Sequence, residues 1–253
     1  HRPEAGARPA ALKEQRNRMG PHPHGWWILL HLVLFVFWLG GDLGVFYSSR
    51  FVIDPARTPA ARAAALAIMS GLDLGPKVCL VLFLPSGLTL MALEPHGAHL
   101  FGIALFPWWS VALVWLLAAI WLALTVIQHR THGAIPGVRR GDLAIRWAVI
   151  AGMAGMGGYA LLAAEPFGVE TNPKWLGVKT LLYATAIASG LGIRMTLRPF
   201  GPAFTSLMTT GSDDTVERTL RRSIDGCLPY VWLIWGSVLA AATLGVFKPG
   251  AQL

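Results

Sequence analysis

The sequence predicts an all-α fold, a polytopic transmembrane helix bundle of about six spans with both termini outside. Three observations lead there. Of 253 residues, 54% are hydrophobic and 13% charged, about half the charged fraction of a soluble domain. Mean hydropathy is +0.53. Six apolar stretches, 26–48, 64–93, 102–128, 145–164, 175–196 and 228–247, each reach the roughly 20 residues that cross a hydrocarbon core. This composition excludes disorder and speaks against an ordinary cytoplasmic enzyme. The net charge of +8 resides in short loops and forms no continuous basic face, so no nucleic-acid partner is expected. The lipid bilayer is the partner the composition demands.

Each span carries its own signals. Span 1 holds Gly40, Gly41 and Gly44, and span 4 reads Gly152-Met-Ala-Gly-Met-Gly-Gly158. Four-residue spacing of small side chains, as in Ala151/Gly155 and Ala154/Gly158, lets helix backbones approach closely in lipid. Such spacing also makes room for a flat macrocycle, with simple packing the first explanation; a homo-oligomer or a larger membrane complex is a further partner to consider. Trp26, Trp27, Trp108, Trp109, Trp147 and Trp175 fall near span ends, where aromatic rings sit at headgroup level. Cys79 and Cys227 lie in or beside apolar spans without a C-x-x-C, and read as small buried hydrophobes. In the long 197–227 loop, Ser212 or Asp213 is placed to cap a short helix leading into span 6.

Basic residues set the orientation. The loops after spans 1, 3 and 5 hold twelve arginines, from Arg50 to Arg222. Lys174 and Lys248 lie on the other side, joined by Arg2, Arg8, Lys13, Arg16 and Arg18 if the first eighteen residues are counted. The excess assigns the arginine side to the cytoplasm of a bacterial-type inner membrane. Residues 1–18, Pro/Ala-rich and basic, read as a disordered leader or upstream sequence, with Met19 a plausible start and 19–253 a single transmembrane domain.

Ionisable groups inside spans cost about 2.5–3.5 kcal/mol each on insertion scales, which makes each a functional candidate. They are His31 and Asp42 in span 1, Asp73 and Lys77 in span 2, and Lys179 in span 5. Asp73 and Lys77 are four apart, on one helical face, with Pro76 loosening the ladder between them. With Asp42 they form either a buried ionic cluster that sets helix register or a proton or substrate relay. His31 and Lys179 sit about 6–8 Å inside the outer boundary and meet at one depth if helices 1 and 5 are neighbours. An imidazole in an apolar bundle ligates iron or copper well. A lysine at equal depth suits a propionate.

The residues around these positions carry a family resemblance. Leu30-His31 through Trp38-Leu-Gly-Gly41 is similar to the first helix of CopD-type copper-resistance membrane domains and of HemJ-type protoporphyrinogen oxidases. Phe46-Tyr47-Ser-Ser-Arg50-Phe51, Ile68-Met69, Trp175-Leu-Gly-Val-Lys179 and Lys248-Pro249 resemble further HemJ positions in the same order. The resemblance implies a haem-b membrane protein with His31 as an iron ligand and with functional roles for Arg50 and Lys179. It implies oxidation of a porphyrin substrate, protoporphyrinogen IX, with quinone as acceptor. Three departures mark a divergent branch. The lysine helix lacks its second His, Asp225-Gly-Cys-Leu-Pro229 replaces an Asn-Glu-x-Pro, and spans 3 and 4 are extra.

Candidate residues follow from both readings. Lys179, Arg50, Asp73, Lys77 and Asp42 are the catalytic candidates. His31, Lys179 and Arg50 are the cofactor-binding set, and His31 and His99 the metal ligands. His22, His24, His96 and Met91 are further options for a second axial ligand, whereas His129 and His132 lie on the wrong side. Copper is the alternative metal, although Met- or Cys-rich clusters that suit Cu(I) are missing from the sequence. A non-catalytic accessory subunit, its polar groups serving packing alone, is the third reading. Whether the chain is an enzyme stays open at this point.

Overall fold

The computed structural model describes residues 23–93, 108–163 and 174–249. They form eight helices and, within these residues, no strand. Six are long and apolar enough to cross a membrane. The protein is a multi-pass transmembrane helix bundle. The leader reading of 1–18 and the candidates His22, His96 and His99 fall outside the described residues.

Helix α1 spans Pro23–Val52. It stops just before Asp54-Pro55, since a residue preceding proline is pushed out of the α region. α2, Pro59–Leu93, opens with Thr58 Oγ1 accepting from the Ala61 amide at 3.3 Å and with Pro59 at its first position. α3 (Trp108–Arg130) turns through His132 and Gly133, at φ 48° and 75°, into α4, Pro136–Leu162. α5 covers Lys174–Thr196, α6 Phe200–Thr209, α7 Asp214–Asp225 and α8 Leu228–Phe247. Successive spanning helices run antiparallel. The described ends of the first and last therefore lie with His31, and the turns after α1, α3 and α5 lie at the opposite, arginine-rich end.

The core gathers side chains from five helices: Leu34 and Trp38, Leu80 and Val81, Trp121, Ile187, and Ile234 with Val238. α4 adds Ile145, Val149 and Ile150 at its margin. Elsewhere the surface is apolar, with Phe37, Leu116, Leu117 and Leu239 exposed, as lipid-facing positions are.

Backbone contacts sharpen the small-residue expectation. A Cβ on Gly41 would come within 2.7 Å of the Pro76 ring, and one on Gly44 within 2.8 Å of Leu72, so these two glycines join α1 to α2. In α4 the contact glycine is Gly157, whose Cβ would meet the Gly177 carbonyl at 2.7 Å. Gly152, Gly155 and Gly158 face open space. The four-residue stripe read from the sequence is thus not the packing seam between these helices. Trp175 is a second correction. It is buried against Leu176, Met91 and Leu244, whereas Trp26, Trp108, Trp109 and Trp147 are exposed near helix ends as expected.

Two boundaries moved. α4 begins nine residues before the apolar stretch at 145, because Asp142 and Arg146 neutralise each other inside the bundle and Pro136 starts the helix. The 197–227 loop is mostly helical. Asp213 caps α7, its carboxylate accepting from the amides of Thr215 and Val216 at 2.7 and 2.8 Å. α6 and α7 form a hairpin whose Phe204, Leu207, Leu220 and Ile224 pack on Val52 and Ile53 at the end of α1.

Candidate functional site

Three tiers of polar groups follow one another along α1. His31 is nearest the first end, Asp42 is eleven residues farther, about 16 Å, and Arg50 a further eight, about 12 Å.

At the first tier the His31 ring lies against α2. Its Nδ1 is 2.9 Å from Ser86 Oγ, and its face meets the Phe83 ring edge-on at 4.4 Å between centroids. Ser86 is wholly buried, and its hydroxyl donates to the Leu82 carbonyl at 2.7 Å. A serine has one hydroxyl proton. With the hydroxyl proton on the Leu82 carbonyl, the Ser86 oxygen is free to accept from His31 Nδ1, and that tautomer leaves the lone pair on Nε2. Gly87 faces the ring as well, and a Cβ there would meet the imidazole Cε1 at an ordinary contact distance of 3.5 Å. The serine is invisible in the sequence as a partner, being 55 residues away.

Lys179 enters the same tier from α5. Its ammonium is within electrostatic reach of the His31 ring, and Nζ occupies the space beside Gly245 of α8, 2.8 Å from where a Cβ would stand. The common depth of His31 and Lys179, inferred by counting residues, holds. One turn earlier on α5, the buried Trp175 Nε1 has no hydrogen-bond partner among the described residues, and neither does His24 Nδ1 two turns before His31. A buried indole N–H in an apolar bundle is costly unless a partner takes it up. Met91, named as an alternative ligand, packs against Trp175 and Leu176.

The second tier joins Asp42 to Asp73 and Lys77. Lys77 and Asp73 form the expected ion pair one turn apart. Asp42 accepts from Trp38 Nε1 at 3.2 Å and lies in the field of both partners. Trp235 of α8 faces the same carboxylate with its Nε1 outside hydrogen-bonding geometry. His129, at the end of α3, is within reach of Asp73 and Lys77. The arrangement holds two carboxylates, one ammonium and an imidazole on three helices.

The third tier separates Arg50 from the other cofactor candidates. Its Nη1 donates to Asp225 at 2.9 Å, and its guanidinium lies 5.0 Å from the Phe46 ring centroid. Nineteen residues of α1, about 28 Å, divide it from His31. Haem is roughly half that length, so Arg50 and His31 cannot hold one macrocycle. The grouping of Arg50 with His31 and Lys179 is corrected on that geometry.

Sequence reading missed one polar centre altogether. Asp142, fully buried, accepts from Trp121 Nε1 (3.2 Å), Arg146 Nε (3.0 Å) and Arg194 Nη2 (3.1 Å). With its amide oriented to satisfy both neighbours, Gln128 donates to the same carboxylate at 3.0 Å and accepts from Arg194. The Asp142/Arg146 spacing of four was a signal, hidden by reading 136–144 as loop.

Among the described residues no group of three or more His, Cys, Asp or Glu side chains could hold a metal ion. A single imidazole suits a macrocycle-bound iron better than a bare ion, because the porphyrin supplies the remaining nitrogens. No family model, no curated protein and no solved structure matches the chain.

Proposed function

We propose that this chain is a haem-b-binding redox protein of a bacterial-type cytoplasmic membrane, with His31 Nε2 as the iron ligand. The observation that carries the reading is the bond between His31 Nδ1 and Ser86 at 2.9 Å. Metal-ligating histidines donate their second ring nitrogen in this way, which sets the tautomer and holds the ring. Lys179 supplies a cation for a propionate, and the Trp175 indole a donor at the same level. When bound, haem b supplies one-electron chemistry. His31 orients it, Phe83 limits the ring's rotation, and the surrounding helices exclude water. The likeness to HemJ-type oxidases suggests a porphyrinogen as electron donor and quinone as acceptor. The Asp42–Asp73–Lys77 tier then serves as a proton-holding group about 16 Å away along α1.

Purified protein expressed with ample haem tests this directly. It shows a Soret band that His31→Ala abolishes or strongly shifts. Lys179→Met weakens haem retention while moving the spectrum less. Ser86→Ala keeps the ligand but loosens its orientation, lowering haem affinity about 10- to 100-fold. Colourless, iron-free wild-type protein sinks the proposal. Copper in its place favours the CopD-type reading, and no metal at all favours an accessory subunit.

A further inference from the structure

A cleft of about 580 Å³ lies between the start of α4 and the end of α5, at the arginine-rich end. Arg139, Arg140, Arg194 and Arg198 line it, together with apolar side chains that include Trp147 and Leu191. These two groups are sorted by depth. Trp147 is seven residues beyond Arg140 along α4, and Leu191 seven before Arg198 along the antiparallel α5. Each is about 10 Å nearer the middle of the bundle than the arginine. Trp147 is 57% exposed on the outer flank, so the cleft opens sideways, where the acyl chains of a bilayer would be.

Among the described residues, Arg194 is the one cleft arginine with a carboxylate partner. That carboxylate, Asp142, is fully buried and already shared by Arg146 and Arg194. Among the described residues no carboxylate pairs with Arg139, Arg140 or Arg198. Arg194 is held in place by Asp142 and by Gln128, which pre-orients its guanidinium at the cleft wall. Guanidinium groups match phosphate oxygens in a bidentate fashion.

We propose that this cleft is a binding site for one anionic phospholipid, its phosphate among the four arginines and an acyl chain along Trp147 and Leu191. A soluble phosphate would satisfy the arginines but leave the sideways-facing apolar wall uncovered. A zwitterionic lipid would cover the wall but bring its own cation to an already cationic site. Basic clefts between transmembrane helices on the cytoplasmic side take acidic headgroups for this reason. The site is independent of the haem proposal and lies at the opposite end of the bundle from His31.

The test is native mass spectrometry of the full chain, titrated in micelles with phosphatidylglycerol, phosphatidylcholine or inorganic phosphate. Wild-type protein is expected to retain phosphatidylglycerol in preference to phosphatidylcholine, and excess inorganic phosphate should not displace it. The triple variant Arg139→Gln/Arg140→Gln/Arg198→Gln, which spares the Asp142 network, should lose roughly a hundredfold in affinity for phosphatidylglycerol. Trp147→Ser should weaken retention several-fold while leaving the charge intact. Equal binding of the two lipids, displacement by phosphate, or unaltered retention in the triple variant each overturns the proposal. If the triple variant does not fold, the wild-type competition alone decides.

Discussion

Arg62, on the first turn of α2, grips Glu217 of α7 with both ends of its guanidinium, at 2.7 and 3.1 Å. Only 1% of the Arg62 side chain is exposed, and its Nε donates to the Val52 carbonyl at 2.7 Å. One arginine thus ties the end of α1, the start of α2 and the α6–α7 hairpin together. Glu217→Gln would leave a buried cation without its counter-charge, at about 3 kcal/mol. A lower Tm and faster proteolysis near Gly211 are expected, with partial recovery in Arg62→Met/Glu217→Met. An unchanged Tm in Glu217→Gln would remove the pair's structural role.

The glycines of α4 separate packing from composition. Gly157→Ala pushes a methyl into the Gly177 carbonyl, Leu181 and Thr180, all at 2.7 Å, and should destabilise by about 1–3 kcal/mol. Gly155→Ala meets nothing within 4 Å, and should be neutral or stabilising by up to about 1 kcal/mol. Thermal unfolding in one detergent compares them. The reverse order would mean that α4 packs through its other face.

In the middle tier two carboxyl groups share one ammonium. Lys77→Met leaves Asp42 and Asp73 facing one another, whereas Asp73→Asn leaves Lys77 with Asp42. The lysine substitution should therefore be the more damaging to yield and Tm, and the double change should fall between Lys77→Met and wild type. A double variant worse than Lys77→Met would point to a role beyond charge balance.

Orientation is open to a direct measurement. Twelve arginines lie at the end opposite His31, so a reporter fused after Leu253 should read as extracytoplasmic. A cytoplasmic reading would invert the assignment of the phospholipid cleft to the inner leaflet.

The sequence alone determined the class of fold, the number of spans, the Asp73–Lys77 pair, a cap at Ser212 or Asp213, and an equal depth for His31 and Lys179 should their helices be neighbours. Each depends on local periodicity or on counting residues along a helix of constant rise, and neither needs knowledge of neighbours. Tertiary structure decided the rest. Ser86 as the partner of His31, Gly157 as the α4 contact, Trp175 as a core residue and Asp142 as the hub of a buried network all depend on which helix faces which. In lipid, apolar side chains are equally at home on every face of a helix, so hydrophobicity marks that a segment spans but not which side it packs. Only close backbone approach and satisfied polar groups choose the faces, and both are properties of the assembled bundle.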